Sequence, residues 1–244
     1  MNYSIYIYPL LSVVLGYLIA FFLQPKNKKN LKLLLAFSGA FLLSLTVMHL
    51  LPEVYAAEAL LHEGHNHATH DHSHNHGTNT IGLFIMIGIV FQIILEYFSK
   101  GAEHGHVHGH DKMDTIPWLL FFSLCLHGLL EGMPISQHNE LAYGIAIHHF
   151  PIAIILTLFF MNAELNKKAI LFFMLIFAFM TPLGTYVSSN LGFLTQYYTQ
   201  ISGVVIGILF HISSTIIFES SEGHKFNLAK LIAIILGIAL AVFV

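Results

Sequence analysis

Apolar residues run along this chain in long blocks, and polar residues gather in short clusters between them. A helix crossing the hydrocarbon core of a bilayer needs about 20 apolar residues. Eight stretches meet that length: roughly 3–24, 31–55, 81–99, 116–136, 140–162, 168–188, 200–219 and 227–244. Several contain Gly or Pro, which spanning helices tolerate where neighbours satisfy the freed backbone groups. The first stretch carries its lysines after the apolar run, so it reads as a retained span and not as a signal peptide. The pattern predicts an all-α integral membrane protein, a bundle of eight transmembrane helices forming one domain over residues 1–244.

The lysines orient that bundle. Lys26, Lys28, Lys29 and Lys32 follow the first span, Lys100 and Lys112 the third, and Lys167 and Lys168 the fifth, while Lys225 and Lys230 lie between the seventh and eighth. With eight spans, all ten fall on one side of the membrane. The positive-inside rule makes that side cytoplasmic, which puts both termini on the outer side. A wrong span count would scatter the lysines over both faces.

Composition sharpens the class. Only 9% of the residues are charged and 56% are apolar, against about 25% charged in an ordinary soluble domain. Lipid is the solvent this surface suits, and a cell membrane, plasma or inner, is the expected location. A net charge of −3 without a basic patch argues against nucleic acid as a partner. The single cysteine, Cys125, excludes an intramolecular disulfide and a cysteine-based zinc cluster. A homodimer is compatible with the sequence.

Eighteen histidines are an excess for this length. Many lie in two biased loops: HEGHNHATHDHSHNHG over 62–77 on the expected outer side, and EHGHVHGHDK over 103–112 on the expected cytoplasmic side. Neutral imidazole is the commonest protein metal ligand. These loops read as collectors of divalent metal or as solvated low-complexity segments that bind it incidentally.

The spans themselves hold few ionisable groups, and such groups are costly at membrane depth and mark pathways or sites. In span four, WLLFFSLCLHGLLEGMPIS, His127 and Glu131 are four residues apart and share one helix face, about 6 Å from each other. Pro134 removes a backbone donor and is expected to free the Leu130 carbonyl beside the carboxylate. In span five, His148 and His149 precede Pro151. Adjacent positions on a helix diverge by about 100°, so His148 is the stronger ligand candidate and His149 is a second ligand or a station on the route. The alternative is that these groups only hydrogen-bond between helices. Second-tier candidates are His49 and Glu53, four apart at the end of span two and suited to a station at the mouth or an interfacial cap, and His211 in mid-span seven.

The pattern resembles the ZIP (Zrt/Irt-like protein) family of divalent metal transporters. The resemblance rests on span count, orientation and His-rich loops, and on HLLPE at 49–53, HGLLEG at 127–132, HHFP at 148–151 and TPLG at 181–184. It implies zinc uptake toward the cytoplasm by elevator-type movement of one helix bundle against another, with His127, Glu131, His148 and His149 as transport-site ligands. Gly128 and Ile152 stand where many members carry polar residues, which implies a single-metal site. Zn2+ is the expected cargo, and Fe2+, Mn2+, Cd2+ and Ni2+ accept the same donors. Such a protein is not an enzyme. The rival readings are an intramembrane zinc-dependent hydrolase, although H-E-x-x-H is absent, and a metal sensor or exporter.

Overall fold

The computed structural model describes residues 3–25, 28–63, 76–99, 117–219 and 228–243. Most of the first His-rich loop and all of the second lie outside the described residues. Among the described residues every regular element is helical. Helix α1 spans Ser4–Leu23 and α2 spans Lys28–Leu45, which runs through a π turn, Thr46–Leu50, into α3, Leu51–Glu63. Then come α4 (His76–Ser99), α5 (Trp118–Gly132), a 3-10 turn (Pro134–Ser136), α6 (Leu141–Asn162) and α7 (Lys167–Asn190). A short α8 (Gly192–Gln196), α9 (Tyr198–Glu219) and α10 (Leu228–Val242) complete the chain.

Among the described residues, seven helical rods are long and apolar enough to cross a membrane: α1, the continuous α2–α3 rod, α4, α5 with its 3-10 turn, α6, α7 and α9. The eighth stretch, α10, is apolar but has 15 residues, about 22 Å at the α-helical rise against a core of about 30 Å. Large apolar side chains such as Leu15 on α1, Val90 on α4, Phe179 on α7 and Ile235 on α10 are exposed. An apolar surface so widely spread is stable in lipid and not in water. The architecture is that of a multi-pass helical membrane protein.

The helices pack as two groups. Helices α1, α5, α6 and α7 share a core that includes Val13, Leu124, Leu156, Phe160, Phe173 and Phe177. In the other group, α4 packs on α9, α10 on α2, and α2 on α9. Inside each group glycines bring backbones together. A Cβ on Gly132 would lie 2.1 Å from the Thr181 carbonyl oxygen, and one on Gly184 would lie 2.0 Å from that of Leu129. The α4–α9 crossing repeats the device: Gly88 faces the Val204 carbonyl and Gly207 that of Ile85, each at 2.0 Å by the same measure. Small residues allow this approach, which substitutes for the hydrophobic drive that lipid removes. Between the groups the seam is filled by side chains, among them Leu42, Ile85, Ile135, Leu141, Ile145 and Leu209.

Candidate metal centre

Two helices of the first group supply the strongest cluster. On α5 the four-residue spacing holds: His127 Nε2 lies 3.3 Å from Glu131 Oε1. Helix α5 ends directly afterwards, at Gly132. The Leu130 carbonyl that Pro134 was expected to free is instead taken by the Met133 N–H at 3.1 Å, so it does not stand open beside the carboxylate. The end of α5 is pinned to α7, where the Thr185 hydroxyl donates to the Gly132 carbonyl at 2.8 Å.

Helix α6 runs unbroken through Pro151 and carries both His148 and His149 to the same carboxylate region. His127, Glu131 and His148 each present one donor atom, and these atoms all lie within 4.8 Å of one another. His149 reaches the other carboxylate oxygen, with Nε2 2.9 Å from Glu131 Oε2, and its ring lies against Phe177, centroids 5.4 Å apart. All four side chains are buried. A buried carboxylate without water must be compensated by hydrogen bonds or opposite charge, and two imidazoles provide that contact here. His127 Nε2 and Glu131 Oε1, which face each other, have no hydrogen-bond partner. A buried imidazole nitrogen and a carboxylate oxygen left without partners, beside the His148 donor, form a donor set suited to zinc, which takes N and O ligands at about 2.0–2.2 Å.

The second-tier residues go to other places. His49 and Glu53 do not meet. The π turn over 46–50 underwinds the helix between them. His49 Nε2 lies 3.4 Å from the Ala241 carbonyl of α10, whereas Glu53 pairs with Nδ1 of His138. His138 also lies 3.4 Å from Glu140 Oε1, and Glu53, His138 and Glu140 converge as a second group of possible metal donors. Sequence reasoning missed His138 and Glu140, which sit in the turn before α6, far from Glu53 along the chain. His211 Nε2 on α9 lies 2.6 Å from Glu96 Oε2 on α4. That pairing of distant spans follows from the Gly88–Gly207 crossing, one turn before His211 on α9 and about two turns before Glu96 on α4.

No family model matches the chain. Over 90 residues the chain is 32% identical to zinc transporter SLC39A7 of Mus musculus, a match covering 36% of this chain and 18% of the mouse protein. The Rattus norvegicus protein gives 32% identity over 36% of this chain and 19% of its own length. The Homo sapiens protein gives 30% over 34% of this chain and 18% of its own. The matched part therefore spans less than a fifth of each of these relatives. What these comparisons give is a partial similarity, over about a third of the chain, to proteins named as zinc transporters.

Proposed function

We propose that this chain is a ZIP-family transporter that carries zinc-class divalent cations across a membrane. The observation that carries the proposal is the convergence of His127, Glu131 and His148 donors within 4.8 Å, from two helices, in a buried site. The partial similarity to zinc transporters supports the same cargo and favours a carrier over a hydrolase. In this reading the bilayer holds eight spans, with α10 as the last, both termini outside, and the chain resides in a plasma or inner membrane.

The ion sheds water as it reaches the site. His127 Nε2, a Glu131 oxygen and His148 bind it, with His149 holding the second Glu131 oxygen or completing the set. Zinc prefers four N/O ligands, and two or three imidazoles with one carboxylate supply them. One carboxylate leaves about one net positive charge on the loaded site. That partial neutralisation lowers the cost of the ion in low dielectric without trapping it. The group α1, α5, α6 and α7 then shifts as a body against the other group, and the ion leaves toward the cytoplasm, in the direction of the His211–Glu96 pair. The direction of uptake rests on the family resemblance.

Zinc uptake into proteoliposomes of known orientation tests the reading. His127→Ala and Glu131→Gln are each expected to abolish uptake while the protein remains folded. Normal uptake by both would overturn the assignment.

A further inference from the structure

A separate cluster stands at the mouth beyond the buried site. Glu53 comes from the first turn of α3, just after Pro52, and so belongs to the second helix group. His138 and Glu140 come from the connection between α5 and α6, in the first group. That connection is firmly held. The Pro134 carbonyl accepts the N–H of Gln137 at 3.0 Å and of His138 at 3.1 Å, and the His138 carbonyl accepts the N–H of Leu141 at 3.1 Å. Leu141 opens α6, and His148 lies seven residues further in, about 10 Å along the axis. The cluster therefore lies about two turns from the buried donors, at the end of the helices nearer to Glu131.

Two carboxylates converge on one imidazole nitrogen. Glu53 Oε2 contacts Nδ1 of His138, and Glu140 Oε1 lies 3.4 Å from the same atom. A neutral ring offers that nitrogen one proton or one lone pair, not both. Two anions held around it repel each other unless a cation joins them. His138 is 14% exposed, Glu140 30% and Glu53 47%, so an ion arriving from water can exchange there. An exposed ion pair alone contributes little to stability, which gives little reason for two halves of the molecule to be joined at this point.

We propose that Glu53, His138 and Glu140 form a second divalent-cation site, for zinc or a cation of similar donor preference, which holds the two helix groups together at the mouth. One imidazole nitrogen and two carboxylate oxygens leave room for a water as fourth ligand, which suits zinc. Two carboxylates neutralise the dication, in contrast to the single carboxylate of the buried site. Because the donors come from both groups, a bound ion stabilises the arrangement in which the groups meet here. The effect on transport rests on the proposed function; the binding does not.

Zinc bound at equilibrium to the full chain in lipid nanodiscs decides the binding. Relative to the unmodified chain, His138→Ala and Glu53→Gln should each lose one equivalent. His138→Cys should keep it, because a thiolate replaces the imidazole. The His-rich loops are the same in every variant and drop out of the difference. Equal binding by the unmodified chain and His138→Ala would overturn the site, as would loss of the equivalent in His138→Cys as well. Uptake by proteoliposomes tests the clamp. High outer zinc should slow the unmodified chain, and Glu140→Gln should move that inhibition at least tenfold higher in zinc. Inhibition unmoved in Glu140→Gln would overturn the clamping role. Absence of uptake from every variant and from the unmodified chain would strike the transport reading, while the bound equivalent would still decide the site.

Discussion

Gly132 faces the inside of its own helix group, and Gly144 faces the other group across the seam. A Cβ on Gly132 would strike the Thr181 carbonyl oxygen at 2.1 Å, whereas one on Gly144 would strike Leu45 Cδ1 at 2.4 Å. The first obstacle is backbone and cannot move without moving a helix. The second is the far end of a leucine, which can change rotamer. The same contrast holds more widely: Gly88, Gly184 and Gly207 all meet backbone carbonyls within one group, while Leu42, Ile135, Leu141 and Leu209 fill the seam with side chains. Each group is thus built to keep its shape, and the boundary between them is built from parts that can repack. A carrier that moves one body against another needs that division of labour.

The most damaging way to probe the contrast is to add bulk on both sides of it. Valine at Gly132 or Gly184 should cost about 3 kcal/mol, the upper end for overpacking, and appear as loss of folded, monodisperse protein or a sharply lower Tm. Alanine at Gly144 should cost about 1 kcal/mol, the scale of one unfavourable rotamer. If Gly144→Ala proves as destructive as the valines, the seam is no softer than the group interiors.

Tethering separates motion from stability. In a Cys125→Ser background, the pair Leu45→Cys and Gly144→Cys spans the seam. A cleavable thiol-bridging reagent should remove nearly all zinc uptake, and cleavage should restore it. The pair Phe121→Cys and Phe173→Cys replaces rings 5.0 Å apart within one group, and bridging it should leave uptake largely intact. Equal inhibition by both bridges would mean the groups do not move as bodies.

Acid should act on loading and not on the seam. Ligating imidazoles must be neutral, so proton and metal compete for the same nitrogens and binding weakens as pH falls. At subsaturating zinc, uptake at pH 5.5 should fall well below that at pH 7.5, with maximal uptake at saturating zinc much less affected.

The sequence exposed the features that depend on one helix and hid those that depend on two. His127 and Glu131 are legible because their spacing places them on one face of α5 whatever packs around it. The long apolar helices are legible for the same reason, since length and hydropathy are local. His148 and His149 were separable only in part: helical divergence favoured His148, but the approach of α6 to α5 lets His149 reach the second oxygen of Glu131. Glu96 lies near a span end, and its pairing with His211 needs the glycine crossing of α4 on α9. His49 and Glu53 misled in the other direction, because regular spacing assumes a regular helix and the π turn removes it. Glu53, His138 and Glu140 come together only once a span end and a turn from separate helix groups meet.

The smallest expected effect lies at a single hydrogen bond across the seam. Ser123, one turn before His127 on α5, donates its hydroxyl to the Leu95 carbonyl of α4 at 3.0 Å. It links the group that carries the buried site to the group against which, in the proposed function, it slides. Ser123→Ala removes the bond and leaves the Leu95 carbonyl its place in the α4 backbone, so the cost to stability should be about 1 kcal/mol. If the bond breaks on the way to the moving state, the same change lowers the barrier, and 1 kcal/mol corresponds to about fivefold in rate. Zinc uptake at saturation should then rise by up to that factor while the half-saturating zinc concentration stays unchanged, since Ser123 is not a ligand in the proposed site. A fall in uptake instead would place Ser123 among the contacts that persist through the movement, and the seam would have to be redrawn on the other side of α5.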